Sequence, residues 1–171
     1  MATTFEAIAT VTVGSGGAAN IEFTSIPGTY TDLLVKFSLR GTNGTYVNNR
    51  FSFNGSTTGY SSRLLYGLGS STGSDVNAVT TAIDYSAYSA GSDATASTFS
   101  NGELYLPNYT GSSNKSVSVD AVSENNNTTA IAALTAGLWS DSAAITSVKI
   151  TPSSGTFAQY STATLYGIKN S

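Results

Sequence analysis

The stretch DLLVKFSLR, from Asp32 to Arg40, alternates apolar and polar side chains along its length. A period of two is typical of a β-strand that buries one face and shows the other to water. We therefore predict a strand here, the clearest one in the chain. Its two predicted faces hold Leu33, Val35, Phe37 and Leu39 on the inner side and Asp32, Lys36, Ser38 and Arg40 on the outer side.

Further strand patterns lie on both sides of this stretch. Thr4–Val13 and Ala19–Ile26 are predicted to form a hairpin around the turn GSGG. The dipeptide Asn54-Gly55 after Tyr46–Phe53 carries the signal of a type I′ hairpin turn. The remaining predicted strands are Ser61–Gly69, Asn77–Tyr88, Gly102–Tyr109, Lys115–Ser123, Ala143–Pro152 and Phe157–Ser171.

Helix signals are weak. The best helical candidate is Thr128–Trp139, but it contains threonines and Gly137 and has no charged pairs at helical spacing. Two further segments are predicted as loops from their composition. Gly69–Asp75, GSSTGSD, is predicted to be a flexible loop, and Ala90–Thr98 an exposed one.

About ten predicted strands, separated by turn residues and without intervening helices, favour an all-β fold. We predict an antiparallel β-sandwich of the jelly-roll type, because eight or more strands with several long connections exceed the seven of an immunoglobulin-like sandwich. The immunoglobulin-like sandwich is the alternative. At 171 residues, the chain is predicted to form a single domain over residues 1–171.

The segment FAQYSTATLYGIK, Phe157–Lys169, leaves one question open. Small residues line one side and tyrosines the other, and the period alone does not decide which side is buried. The two alternative faces are Phe157, Gln159, Ser161, Ala163 and Leu165, against Ala158, Tyr160, Thr162, Thr164, Tyr166 and Ile168.

The composition excludes several classes of partner. Only 10% of the residues are charged and the net charge is −3, whereas about 25% is usual for a globular domain. No basic stripe is present for a nucleic-acid backbone, so nucleic-acid binding is not expected. No apolar run approaches the ~20 residues needed to span a bilayer. The N-terminal residues lack the pattern of a secretory signal, so synthesis and retention in the cytoplasm are expected.

Catalytic groups are scarce. The chain has no histidine and no cysteine, which removes the usual triads and most zinc sites. Its ten acidic residues lie singly in the sequence, so no carboxylate pair is predicted. The oxygen-rich segments Ser74–Asp84 and Ser123–Thr128 do not match the spacing of an EF-hand loop. We expect no enzymatic activity, cofactor or metal.

The aromatic residues divide into two groups. Four phenylalanines on predicted inward faces (Phe37, Phe51, Phe53 and Phe157) and Trp139 are assigned to the core. Tyrosine rings suit protein interfaces and sugar platforms, because they bury much area with few rotatable bonds. The candidate interface residues are Tyr60, Tyr66, Tyr85, Tyr88, Tyr105, Tyr109, Tyr160 and Tyr166.

Several blocks of the sequence resemble a group of small structural proteins of tailed bacteriophages that is common in aquatic phages. The resemblance is strongest in IPGTYTDL and QYSTATLYGIK and is supported by RFSFNG, SSRLLYGLGSS and LWSDSAAITSVKIT. It implies a virion component without enzymatic activity, and it supplies no catalytic or binding residues.

Together these observations predict a capsid decoration or cement protein that binds the major capsid protein, with a homotrimer as the expected state. The expected location is the virion, after synthesis in the host cytoplasm. The predicted contact segments are Ala2–Val13, Gly69–Asp75 and Asp84–Asn101. The alternative is a receptor-binding or glycan-binding module of a tail or head fibre.

Overall fold

The structure is a computed structural model that describes residues 4–77, 81–126 and 129–169. It contains twelve β-strands and, within these ranges, no helix. The strands are β1 Phe5–Thr12, β2 Ile21–Phe23, β3 Asp32–Leu39, β4 Tyr46–Phe53, β5 Tyr60–Leu68, β6 Ser71–Asn77, β7 Ile83–Ala90, β8 Ser100–Leu106, β9 Lys115–Glu124, β10 Ala130–Trp139, β11 Val148–Pro152 and β12 Thr162–Ile168.

The strands form two antiparallel sheets. The larger has eight strands in the order β1-β12-β3-β8-β9-β10-β5-β6, and the smaller has four in the order β2-β11-β4-β7. The segments β1-β12-β3-β8 and β2-β11-β4-β7 together reproduce the two four-stranded sheets of a jelly roll. The predicted antiparallel sandwich is therefore confirmed. The strand orders of the two sheets differ from the ABED and CFG sheets of an immunoglobulin-like sandwich, so that alternative does not describe the fold.

Four strands extend the jelly roll on one side. β9, β10, β5 and β6 continue the large sheet beyond β8. Their inner face packs against β7, where the Thr135 hydroxyl donates to the Tyr85 carbonyl oxygen (3.0 Å) and the Ser62 hydroxyl to the Asp84 carbonyl oxygen (3.0 Å). These bonds tie the extension to the smaller sheet, so the same core continues beneath both parts of the large sheet.

The core follows the predicted pattern of β3. Its inner face is buried, with Leu33, Val35 and Leu39 at 0% and Phe37 at 5% exposure. The four phenylalanines assigned to the core and Trp139 are all buried, which confirms that prediction. Trp139 contacts the Phe53 ring at 5.8 Å and stacks on the Tyr60 ring at 6.0 Å between centroids.

The helical candidate Thr128–Trp139 is a strand from Ala130 onward; Thr128 lies outside the described residues. Burial alternates strictly along β10, and it pairs with β9 on one side and β5 on the other. Alanine has little preference of its own for a strand, so pairing on both sides overrides the local propensity.

Two predicted hairpins are wrong. β1 pairs with β12 and β2 with β11, so the chain crosses between the sheets after β1. The second is at Asn54-Gly55, where both residues have positive φ (52° and 67°) and the Ser56 amide donates to the Phe53 carbonyl oxygen at 2.8 Å. The turn predicted there exists, but β5 then joins the larger sheet, so β4 and β5 do not pair.

The predicted loops are partly strands. Most of Gly69–Asp75 belongs to β6, which pairs with β5 around a two-residue turn at Gly69 (φ 56°). The contact segment Asp84–Asn101 begins in β7 and ends in β8. The loop between them is held by the Arg40 guanidinium, which donates at 2.9 Å to three of its carbonyl oxygens.

The inner face of β12 is the side with small residues. Ala163 and Leu165 are buried at 1% and 0% exposure, whereas Tyr166 is half-buried on the outer face. Gly167 lies under the Tyr30 ring, where an added Cβ would come within 2.4 Å. This close contact explains why glycine occupies that position.

Candidate functional site

The side chains on the outer face of the large sheet change from polar to apolar between the β1 edge and the four-strand extension. Strand register aligns one residue of each of the eight strands into a row across this face. On β1 and β12 the residues of the row are threonines, on β3, β8 and β9 they are charged, and on β10 and β5 they are leucines. The edge strand β6 contributes a serine. The members of the row, in order, are Thr10, Thr164, Lys36, Glu103, Asp120, Leu134, Leu65 and Ser74.

The exposed aliphatic side chains of this face are concentrated on the four-strand extension. We call this set the apolar face. A scattered exposed leucine is ordinary, but a contiguous group of large apolar side chains marks an interaction surface. The five residues of the apolar face and their exposures are Leu65 60%, Val76 59%, Leu134 54%, Val122 47% and Leu138 36%.

Alternation along β10 places these leucines outward. Thr135 and Trp139 are buried at 0% and 2% exposure, and they fix which side of the strand faces the core. Leu134 and Leu138, one position before each, must then face outward. A shift of one residue would bury both leucines, but it would expel Trp139 from its stack on Tyr60.

The apolar face carries two open depressions. An open groove of about 830 Å³ lies over Leu65 and Leu134, with Asp120 on one side and Ser74 on the other. A second depression of about 320 Å³ lies further along, next to Val76 and Leu138. The groove therefore combines an apolar floor with one acidic wall.

Asp120 is the acid at that wall. Partial burial, and after it the neighbouring Glu103, raises the pKa of Asp120 above its ordinary value of 3.8. Glu103 is itself paired with Lys36 at 2.8 Å. In the described part of the chain Asp120 has no basic side chain within 4 Å. Lys36 acts on it from further away and lowers its pKa only slightly, so a cationic group entering the groove would meet a carboxylate without a direct ion pair.

The structure places two of the eight candidate tyrosines in the core, so their assignment to an interface is wrong. Tyr60 is 3% exposed, and its hydroxyl accepts from the Phe53 amide (2.8 Å) and donates to the Phe53 carbonyl oxygen (3.2 Å). Tyr109 is fully buried and donates to the Pro27 carbonyl oxygen. Sequence patterns did not identify these internal hydrogen-bond partners.

Three candidate tyrosines are half-buried where β5 and β6 approach β7. The Tyr66 ring lies over Gly73 of β6. Tyr85 has a left-handed φ of 51° within β7. Burial, and after it the proximity of Tyr85 and Asp84, raises the pKa of Tyr88 to about 12. Tyr88 therefore stays protonated at physiological pH.

The last three candidates lie elsewhere on the surface. Tyr105 and Tyr166 flank Leu34 on the outer face, and the Tyr105 hydroxyl donates to the Asp32 carboxylate at 2.8 Å. Tyr160, at 68% exposure, stands alone in the turn before β12. The eight tyrosines therefore do not form one interface.

The acidic residues do not assemble a metal site or a recessed catalytic pair. Within the described ranges, no three acids gather in a way that could hold a metal ion. Glu103 and Asp120 lie opposite each other across the β8–β9 ladder, but only Asp120 lines the groove. Asp84, from one oxygen-rich segment, is paired with Arg50 at 3.1 Å. Residues 78–80 and 127–128 of those segments lie outside the described part of the chain.

Comparisons with known proteins add no assignment. No family model matches the chain, and no curated protein matches its sequence.

Within the described residues there is no helix of the length and apolarity that a membrane crossing requires.

Proposed function

We propose that this protein is a structural component of a tailed-bacteriophage virion that decorates the capsid and acts by binding alone. The observation that carries the proposal is the apolar face, which a folded chain rarely leaves uncovered. The phage assignment rests on the resemblance in sequence, since a jelly roll by itself serves many functions.

The binding mode follows from the chemistry of the face. Aliphatic side chains on a rigid sheet can be buried against a partner without the entropic cost of ordering a flexible backbone segment. The surrounding hydroxyls provide the polar rim that is typical of protein interfaces. A protein that binds only the assembled shell stabilises it by mass action. The major capsid protein is the proposed partner, and the trimer expected from the sequence stays a prediction.

Reconstruction of intact particles tests the proposal. Copies at regular positions on the shell, with the apolar face toward capsid subunits, are expected. Leu134→Lys places a charge in the contact and should lower occupancy, whereas Thr164→Lys, in the same row at the far end of the sheet, should not. Copies on the tail alone would contradict the proposal.

The second candidate is glycan binding by a fibre module. The observation that favours it is the pair of outer-face tyrosines, Tyr105 and Tyr166, with a depression of about 210 Å³ beside Tyr105. Saturable binding on a glycan array that is lost in Tyr166→Ala would support this candidate over the first.

A further inference from the structure

The two sheets end in four edge strands, and three of them are protected. β1 has a bulge between Ala7 and Ala9, and β2 is only three residues long. In β7 the carbonyl oxygens of Asp84 and Tyr85 are bonded to hydroxyls of the large sheet. Bulges, short edges and covered edges are the devices by which natural sheets prevent pairing with another chain.

The fourth edge, β6, is open. It pairs with β5 over seven residues without a bulge, and it contains no proline or lysine. Because Leu68 and Ser71 close a two-residue turn, the backbone groups of Thr72, Ser74 and Val76 point away from β5. The Val76 amide also points away from β5, and it donates to its own Asp75 carboxylate at 2.7 Å. Pairing with another strand would replace this bond, and it would leave the carboxylate free to accept elsewhere. Within the described part of the chain, no group bonds to the outward backbone of Thr72 or Ser74.

We propose that a second copy of this chain pairs with this edge, β6 against β6, about a two-fold axis at Ser74. Antiparallel pairing of a strand with itself is isologous and closed, so it gives a dimer. The register pairs all seven residues of β6. It sets Thr72 opposite Val76 of the second copy, a favourable β-branched pair, and Gly73 opposite Asp75.

Charge and length together favour this register. Moving the axis from Ser74 to Asp75 would oppose the two Asp75 carboxylates, which is unfavourable for like charges. Moving it to Gly73 would pair only five of the seven residues of β6. In the proposed register each Asp75 faces Gly73 of the other copy, and the Tyr66 hydroxyl covers that glycine, 2.7 Å from where a Cβ would lie. The hydroxyl can donate to the carboxylate, once on each side of the axis.

The pairing does not depend on the proposed function. It uses the backbone edge and leaves the outer face free, so the apolar faces of two copies would lie side by side. If the protein does not dimerise, the proposal of shell binding still stands. If it does not bind shells, the proposal of the dimer still stands. The two-fold pairing differs from the trimer expected from the sequence.

Light scattering on the full chain over a range of concentrations tests the pairing. A concentration-dependent dimer is expected. Ser74→Pro removes an outward amide but no bond to β5. It should therefore give a monomer that melts at the same temperature as the wild type at concentrations where the wild type is also monomeric. Ser74→Ala should remain dimeric, and Tyr66→Phe should dimerise on the order of tenfold more weakly. A monomeric or trimeric wild type, or a Ser74→Pro dimer of unchanged strength, would overturn the proposal.

A crosslinking experiment gives an independent readout if the proline variant fails to fold. The chain has no cysteine, and directly opposed, hydrogen-bonded residues lie about 5.5 Å apart, within disulfide range. Under a mild oxidant, Ser74→Cys should crosslink to a dimer, whereas Thr10→Cys on the protected β1 edge should not. Equal yields from the two variants would contradict pairing through β6.

Discussion

Leu65 and Leu134 lie directly opposite each other across the β5–β10 ladder, and both point away from the core at 60% and 54% exposure. Cross-strand pairs of this kind stabilise a sheet by only ~0.2–1 kcal/mol. The fold therefore gains little from these leucines, and their remaining apolar area is available for a partner.

Substitution of neighbouring leucines should separate binding from folding. We expect Leu65→Ala to change the free energy of unfolding by less than ~1 kcal/mol, because its side chain is already largely hydrated. Leu64→Ala, one residue earlier and 3% exposed, should cost ~2–5 kcal/mol. Denaturant unfolding measures both. Similar losses in the two variants would contradict the assignment of Leu65 to the outer face.

The buried Lys115 should contribute strongly to stability. Its ammonium donates at 2.6 Å to the carbonyl oxygens of Gly111 and Ser113, and its side chain is 1% exposed. Lys115→Met would remove both charge-assisted bonds, at a cost of ~2–4 kcal/mol. The control is Lys149→Met, since Lys149 forms a half-exposed pair with Glu22 at 3.2 Å and should lose under ~1 kcal/mol. Thermal melts that rank the two in the opposite order would disprove this role.

The Tyr60 hydroxyl should stabilise the turn between the sheets. Tyr60→Phe removes its bonds to both backbone groups of Phe53, so we expect a loss of ~1–2 kcal/mol in the free energy of unfolding. Tyr160→Phe, at an exposed position, should be neutral. Chemical denaturation of both variants checks this, and a neutral Tyr60→Phe would show that the two bonds contribute little.

Asp120 should oppose folding while it is ionised. Its folded-state pKa is raised, so the stability gained by protonation is present below pH 3.8 and is lost as pH rises through the higher folded value. Asp120→Asn should therefore raise the melting temperature at neutral pH, and the difference should vanish toward pH 3.8. If the two melting temperatures differ by the same amount from neutral pH to pH 3.8, titration of Asp120 is not the cause of the difference.

The periodicity of single strands was readable from the sequence, whereas their pairing was not. The inner face of β3 and the core phenylalanines follow from a period of two. Asn54-Gly55 correctly predicted a turn, but the sheet that the chain joins afterwards depends on contacts far along the sequence. β6 was missed because serine, threonine and glycine are as typical of loops as of strands.

The candidate site was only partly predictable. The outward position of Leu134 could have been inferred once Trp139 was assigned to the core, because the two differ by an odd number of residues. Tyr60 and Tyr109 were misassigned because a tyrosine can satisfy its hydroxyl inside the protein as well as outside it. The hydrogen-bond partners of these hydroxyls, Phe53 and Pro27, are brought next to them only by the tertiary fold, so no local sequence pattern indicates them.

The single tryptophan gives the molecule a built-in optical reporter. Trp139 is stacked between the sheets, while Leu138 beside it faces the surface where a partner is proposed to dock. Occupation of that surface should leave the emission blue-shifted, and only separation of the sheets should move it to the red. One fluorescence spectrum can thus distinguish a bound molecule from a denatured one.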